Sequence, residues 1–189
     1  MSIITETLDI PELIIPFYRG DTAVKRVLLA SDPGTDDTAS AIVATAGSPN
    51  VTVNYSDLLL AGMNLYDSNG ESIGTILSVG SGSAVLTTNV ATSYSGTYKV
   101  GIGWEDVVNN VVCELTRFGS NDAVISLELG SGITLDGDWA TLDFSATLTQ
   151  IRADKYQGDF RALLADGVSV LTLFQIITAP FTQNRSQQP

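Results

Sequence analysis

Three groups of carboxylates are the side chains whose types and spacing invite chemistry. Asp32, Asp36 and Asp37 share one loop with Pro33 and Gly34. Asp67, Asn69 and Glu71 alternate over the next group. Asp136, Asp138 and Asp143 form the last. Oxygen-rich loops suit Ca²⁺, a hard cation. The second group matches only part of a calcium-binding loop, so a hairpin turn explains it better. The first and third read as solvated acidic loops with exposed carboxylates. A glycosidase needs two carboxylates flanking a cleft, and Asp136, Asp138 and Asp143 are the least unsuitable residues for that. No Gly-rich phosphate loop, heptad repeat or carboxylate pair at a demanding spacing is present. The expectation is a non-enzyme, with no catalytic, cofactor-binding or metal-ligating residue.

Other residue types narrow the chemistry further. There is no histidine, which removes Ser-His-Asp and Cys-His catalysis and the usual zinc sites. Cys113 is the single cysteine, so no disulfide forms within one chain. It lies in an apolar run and reads as a small core residue. Nine Lys and Arg stand against 21 Asp and Glu, a net charge of −12. Phosphate contacts need Lys and Arg, so the charge argues against nucleic acid and anionic membrane surfaces as partners, and neither is expected. Sugar binding would use exposed aromatic faces. Tyr94, Tyr98, Trp104 and Trp139 are the candidates, although they show no clustering and core packing explains them better. Arg19-Gly20-Asp21 spells an adhesion tripeptide but reads as a turn. Asn50-Val51-Thr52 fits a glycosylation sequon.

The elements that must position these residues are strands. Residues 10–17 are a short apolar run bracketed by Pro11 and Pro16, which suits an edge strand or an extended arm. A strand follows at 23–30. Residues 38–46 read as a strand in preference to a helix. Runs at 51–55, 62–66, 72–79, 84–89 and 97–102 are short, rich in Val, Ile, Leu, Thr and Tyr, and separated by turns such as Ser68-Asn69-Gly70 and Ser95-Gly96. Short strands at such regular spacing imply a sandwich or small barrel. After a junction at 104–107, strands are expected at 108–118, 123–129, near 134 and at 139–144. One helical turn is expected within 142–154. Asp166-Gly167 then marks a hairpin between 160–164 and 168–177. Apolar residues on both faces of its second strand suggest cover on both sides. Residues 183–189 read as a loose polar tail. The N-terminus has no basic region before its apolar stretch, so it does not read as a secretory signal, and no run is long enough to span a membrane.

The order of segments carries a resemblance. Val111-Val112-Cys113-Glu114-Leu115-Thr116-Arg117, Gly132-Ile133-Thr134, Thr147-Leu148-Thr149-Gln150-Ile151 and the hairpin from Tyr156-Gln157-Gly158-Asp159-Phe160 onward resemble a β-sandwich module of tailed-bacteriophage structural proteins. The N-terminal part of baseplate upper proteins is one such case. Tyr18-Arg19-Gly20-Asp21-Thr22 is similar to that module's opening. Some seventy residues separate the opening from the rest. Within them, 61–66, 73–79 and 84–89 look like the small β-barrel repeats of virion and bacterial surface proteins. The resemblance implies an all-β chain: an antiparallel, Ig-like β-sandwich with a small β-barrel inserted in an early loop. It assigns 1–30 plus 104–182 to the sandwich and 31–103 to the barrel. Insertion is inexpensive when the inserted ends lie close together.

The functional expectation follows from the resemblance. It is a structural protein of a tailed phage virion, in the tail, baseplate or head–tail region, assembled in the host cytoplasm. Its partners would be copies of itself and other virion proteins. A capsid decoration protein and a carbohydrate-binding adhesin are the alternatives.

Overall fold

Alternation sets the strands. Val111, Cys113 and Leu115 are buried, while Val112, Glu114 and Thr116 between them are half-exposed. The same two-residue period buries Ile125 and Leu127 and, further on, Ala140, Leu142 and Phe144. The computed structural model describes residues 12–15, 22–34, 38–120, 122–145, 147–149, 155–165 and 167–178. The fold is all-β and sandwich-like, built on two curled, mostly antiparallel sheets.

In chain order the strands are β1 (Glu12–Ile15), β2 (Ala23–Leu28), β3 (Ile42–Ala44), β4 (Asn50–Val53), β5 (Asn64–Asp67), β6 (Ser72–Gly80), β7 (Ser83–Leu86), β8 (Tyr94–Gly96) and β9 (Tyr98–Gly101). A single helical turn, α1 (Trp104–Val107), precedes β10 (Val108–Arg117), β11 (Ala123–Leu129), β12 (Gly132–Asp136), β13 (Trp139–Phe144), β14 (Tyr156–Leu164) and β15 (Val170–Thr178). The chain divides into two compact units. One comprises Met1–Arg26, Val108–Thr134 and Ala140–Pro189; the other comprises Val27–Val107 and Leu135–Trp139. The resemblance puts the boundaries at 30 and 103 and gives all of 104–182 to the sandwich. The turn between β12 and β13 instead joins the second unit.

The first unit is built on an eight-stranded sheet of order β1-β15-β14-β10-β11-β12-β13-β2. Its centre is the long antiparallel register of β10 with β14, from Val108↔Leu164 to Arg117↔Tyr156. β11 and β12 are joined by a tight turn and meet in a short parallel register, Glu128↔Gly132 and Leu129↔Ile133. Gly132 has φ +89°, and a Cβ there would lie 2.6 Å from Leu127 Cδ2 and 3.3 Å from the Asp143 carbonyl oxygen. Only glycine permits both the backbone angle and that approach. The ends of the sheet must also come together. Eight residue steps join Ile15 to Ala23, a reach of at most roughly 29 Å. Seven strand spacings in a flat sheet would separate β1 from β2 by roughly 34 Å. The proline-bracketed run takes its place as β1, the edge strand, parallel to β15 from Glu12↔Gln175 to Ile15↔Thr178.

The second unit has a seven-stranded sheet of order β8-β3-β4-β7-β6-β5-β9. Its two outermost strands, β8 and β9, are separated in sequence only by Thr97. One kinked stretch of chain therefore forms both edges, and the sheet wraps round into a small barrel. Its interior holds Ile42, Val51, Val53, Leu65, Ile76, Leu86 and Tyr98. Ser95-Gly96 is thus strand and not the turn that its composition suggests. Ser31 and Val100 exchange backbone hydrogen bonds of 3.0 and 2.8 Å, tying the segment that leads into the barrel to its last strand. Within the described part of 142–154, the Thr149 amide donates to the Ser145 carbonyl, one helical turn. Residues 18–21, with the Arg-Gly-Asp tripeptide, and the 183–189 tail lie outside the described residues.

Candidate functional site

The carboxylates that invite chemistry are engaged in holding the chain. Asp32 Oδ1 accepts from the Gly34 amide at 2.7 Å and the Ser40 amide at 3.4 Å. Its slight burial would raise its pKa, but these bonds, the Ser40 hydroxyl and the charge of Lys99 hold it below the ordinary value. Asp36 and Asp37 lie outside the described residues. Asp67 Oδ1 accepts from the amides of Asn69 at 2.8 Å and Glu71 at 2.9 Å, a local turn that occupies the carboxylate. No group of three or more His, Cys, Asp or Glu fit to hold a metal occurs among the described residues.

Asp138 overturns the expectation of an exposed turn. Asp136 and Asp143 are exposed, but Asp138 is completely buried. Its Oδ2 accepts from Asn64 Nδ2 at 2.8 Å and the Tyr66 hydroxyl at 2.9 Å. Its Oδ1 accepts from the amides of Gly103 at 2.7 Å and Trp104 at 3.1 Å. The Asp138 carbonyl takes a further bond, from the Leu29 amide at 2.8 Å. A Cβ on Gly101 would overlap the carboxylate, so the backbone approaches where only glycine fits. Burial, then the hydrogen bond and charge of Asp138, push the Tyr66 phenol well above its ordinary pKa. Four donors around one buried carboxylate make a structural anchor. The neighbouring Glu105 carboxylate is occupied as well, its Oε2 accepting from the Gly137 amide at 2.9 Å. Sequence reasoning missed it because Asn64 and Tyr66 stand 74 and 72 residues away.

The aromatic candidates for sugar stacking are occupied as well. Tyr98 and Trp104 are buried, and Tyr94 and Trp139 are half-buried. The Trp104 indole donates to the Leu29 carbonyl at 2.7 Å, and the Tyr94 hydroxyl donates to the Thr97 carbonyl at 2.7 Å. Cys113 is completely buried, and burial pushes its thiol up to about 12.

What remains is surface. An open cavity of about 420 Å³ lies on the first unit and is lined by Glu114, Thr116, Gln157, Gly158, Asp159, Arg161 and Ile176. Glu114 and Asp159 are directly opposite on β10 and β14, and Arg161 forms an ion pair with Glu114. Sequence reasoning missed this pair too, since β10 and β14 meet only through tertiary pairing. Both carboxylates remain solvent-accessible. Neither sits in the apolar surroundings that turn a carboxyl into a general acid.

The second surface is the outer side of β15. β1 covers only Gln175–Thr178, and among the described residues no other strand lies along the rest of that side. Residues 167–172 are all exposed, which corrects the expected cover on both faces at this end of the hairpin. Val168, Val170 and Leu171 are 83%, 56% and 43% exposed. An open strand edge with exposed apolar side chains is therefore the main uncovered feature of this end of the hairpin among the described residues. Comparison with protein-family models, with curated proteins and with solved structures found no match.

Proposed function

We propose that this chain is a non-enzymatic structural protein of a tailed phage virion, in the tail, baseplate or head–tail region. It acts through oligomerisation and by docking to neighbouring virion proteins. The interrupted plan carries this reading. The segments that resemble the virion module, at 111–117, 132–134 and from 156 onward, fall in one unit. The barrel lies between them and the opening segment in the chain. Strand edges support the same reading, because an open edge binds a partner through backbone hydrogen bonds and needs no catalytic group. The direct test is mass spectrometry of gradient-purified particles, followed by immunogold electron microscopy with an antibody to the chain. The expected result is a stoichiometric band and label on the tail or baseplate. Label on the head surface would move the chain to capsid decoration, and its absence from particles would end the virion reading.

A further inference from the structure

We infer that the hairpin end of β15 pairs antiparallel with the same edge of a second copy of this chain, giving a two-fold dimer. The inference deepens the oligomerisation proposed above and rests on that part of it alone. Three observations meet at this edge. First, β14 occupies one side of β15, with Leu163↔Val170, Ala162↔Leu171 and Arg161↔Thr172, while β1 reaches the other side only from Gln175 onward. The outward backbone groups of 170–172 thus have no strand beside them among the described residues. Second, Val170 and Leu171 point to opposite faces of the hairpin, and both are exposed, as is Val168. Third, residues 167–178 contain no charged side chain, in a chain of net charge −12.

The third observation selects the partner. Two copies repel across most of their surfaces, and an uncharged apolar edge is where they can meet without that repulsion. Natural edge strands are guarded by lysine, proline or inward charges, and 170–172 carry none of these. A strand edge laid antiparallel on itself is self-complementary, as a two-fold contact requires. The register shift between Phe160 and Arg161 places a bulge opposite, near Leu173. It bounds the flat part of the edge, so the shared ladder is short and centred on Leu171. Val168 and Val170 add apolar burial on either side.

Sedimentation equilibrium of the full chain over a dilution series tests this. The wild type is expected to dimerise. Leu171→Lys sets two like charges face to face and should raise the dimer Kd by about a hundredfold or more. Its far-UV circular dichroism should not change, because the position is exposed. Val168→Lys is read the same way and guards against a folding defect in the first variant. Leu171→Cys should give a disulfide-linked dimer on oxidation, with the buried Cys113 silent in the wild-type control. A wild type that stays monomeric throughout overturns the inference, as does a dimer that survives both lysine variants. Particles that contain a monomeric chain would reject this contact and keep the virion reading. A dimer absent from particles would do the reverse.

Discussion

Asp138 is the one acidic side chain that is fully buried among the described residues. A buried carboxylate is tolerated only when its lone pairs are filled, and here four donors fill them. Asp138→Ala leaves those donors unpaired, at about 1–3 kcal/mol for each that stays buried, and should therefore cost about 3 kcal/mol or more in urea unfolding. Tyr66→Phe removes one of the four bonds and should cost about 1.5–3 kcal/mol. A loss below that range for both would show that the anchor is not what holds the turn. Cys113 gives a pH-dependent prediction. Its thiol pKa is raised from the ordinary 9.0 to about 12, with burial the first cause. A raised folded-state value favours the fold below the unfolded-state pKa. That contribution is lost as pH rises from about 9 toward 12. At neutral pH the native thiol should resist a disulfide reagent that labels the urea-unfolded chain fully; rapid native labelling would contradict the burial.

Elements were legible where packing is local and hidden where it is not. The apolar alternation in β10 and the Val-Ile-Leu-Thr runs of the barrel announce themselves, because one face of each is buried and side chains alternate. β8 was hidden. Tyr-Ser-Gly has little strand character, and it pairs with β3 because it continues, past Thr97, into the same wall as β9. The buried role of Asp138 was equally illegible. Asp-Gly-Asp reads as solvent-facing in any local window, and what buries it is a pair of side chains on β5. The exposed end of β15 was misjudged for the opposite reason: its residues are core-like, but among the described residues no element covers them. At the turn between β11 and β12 the test is Gly132→Ala. A non-glycine residue held at positive φ costs about 1–3 kcal/mol, and the contact with Leu127 adds to that. Unchanged stability would mean that the turn does not depend on this close approach.

Across the whole molecule, charge is distributed unevenly. The second unit holds ten of the 21 acidic residues and one of the nine basic ones, Lys99. Self-repulsion of that kind destabilises a compact state and is screened by salt. Added NaCl should raise the urea midpoint of the transition that reports on Trp104 and Trp139 fluorescence, both tryptophans lying in that unit. A midpoint that falls with salt would show that favourable ion pairs outweigh the repulsion.

The anchor at Asp138 also imposes an order in time. During synthesis the strands of the barrel emerge well before residue 138, so the amides of Gly103 and Trp104 and the side chains of Asn64 and Tyr66 must wait for their acceptor. The barrel sequence can collapse around its apolar interior at that stage, but its polar seam stays wet until the β12–β13 turn has been made. The last step in building the inserted unit thus belongs to a stretch of the chain that encodes the other one. A ribosome stalled before that turn should carry a protease-sensitive barrel, and one stalled well beyond it a resistant barrel.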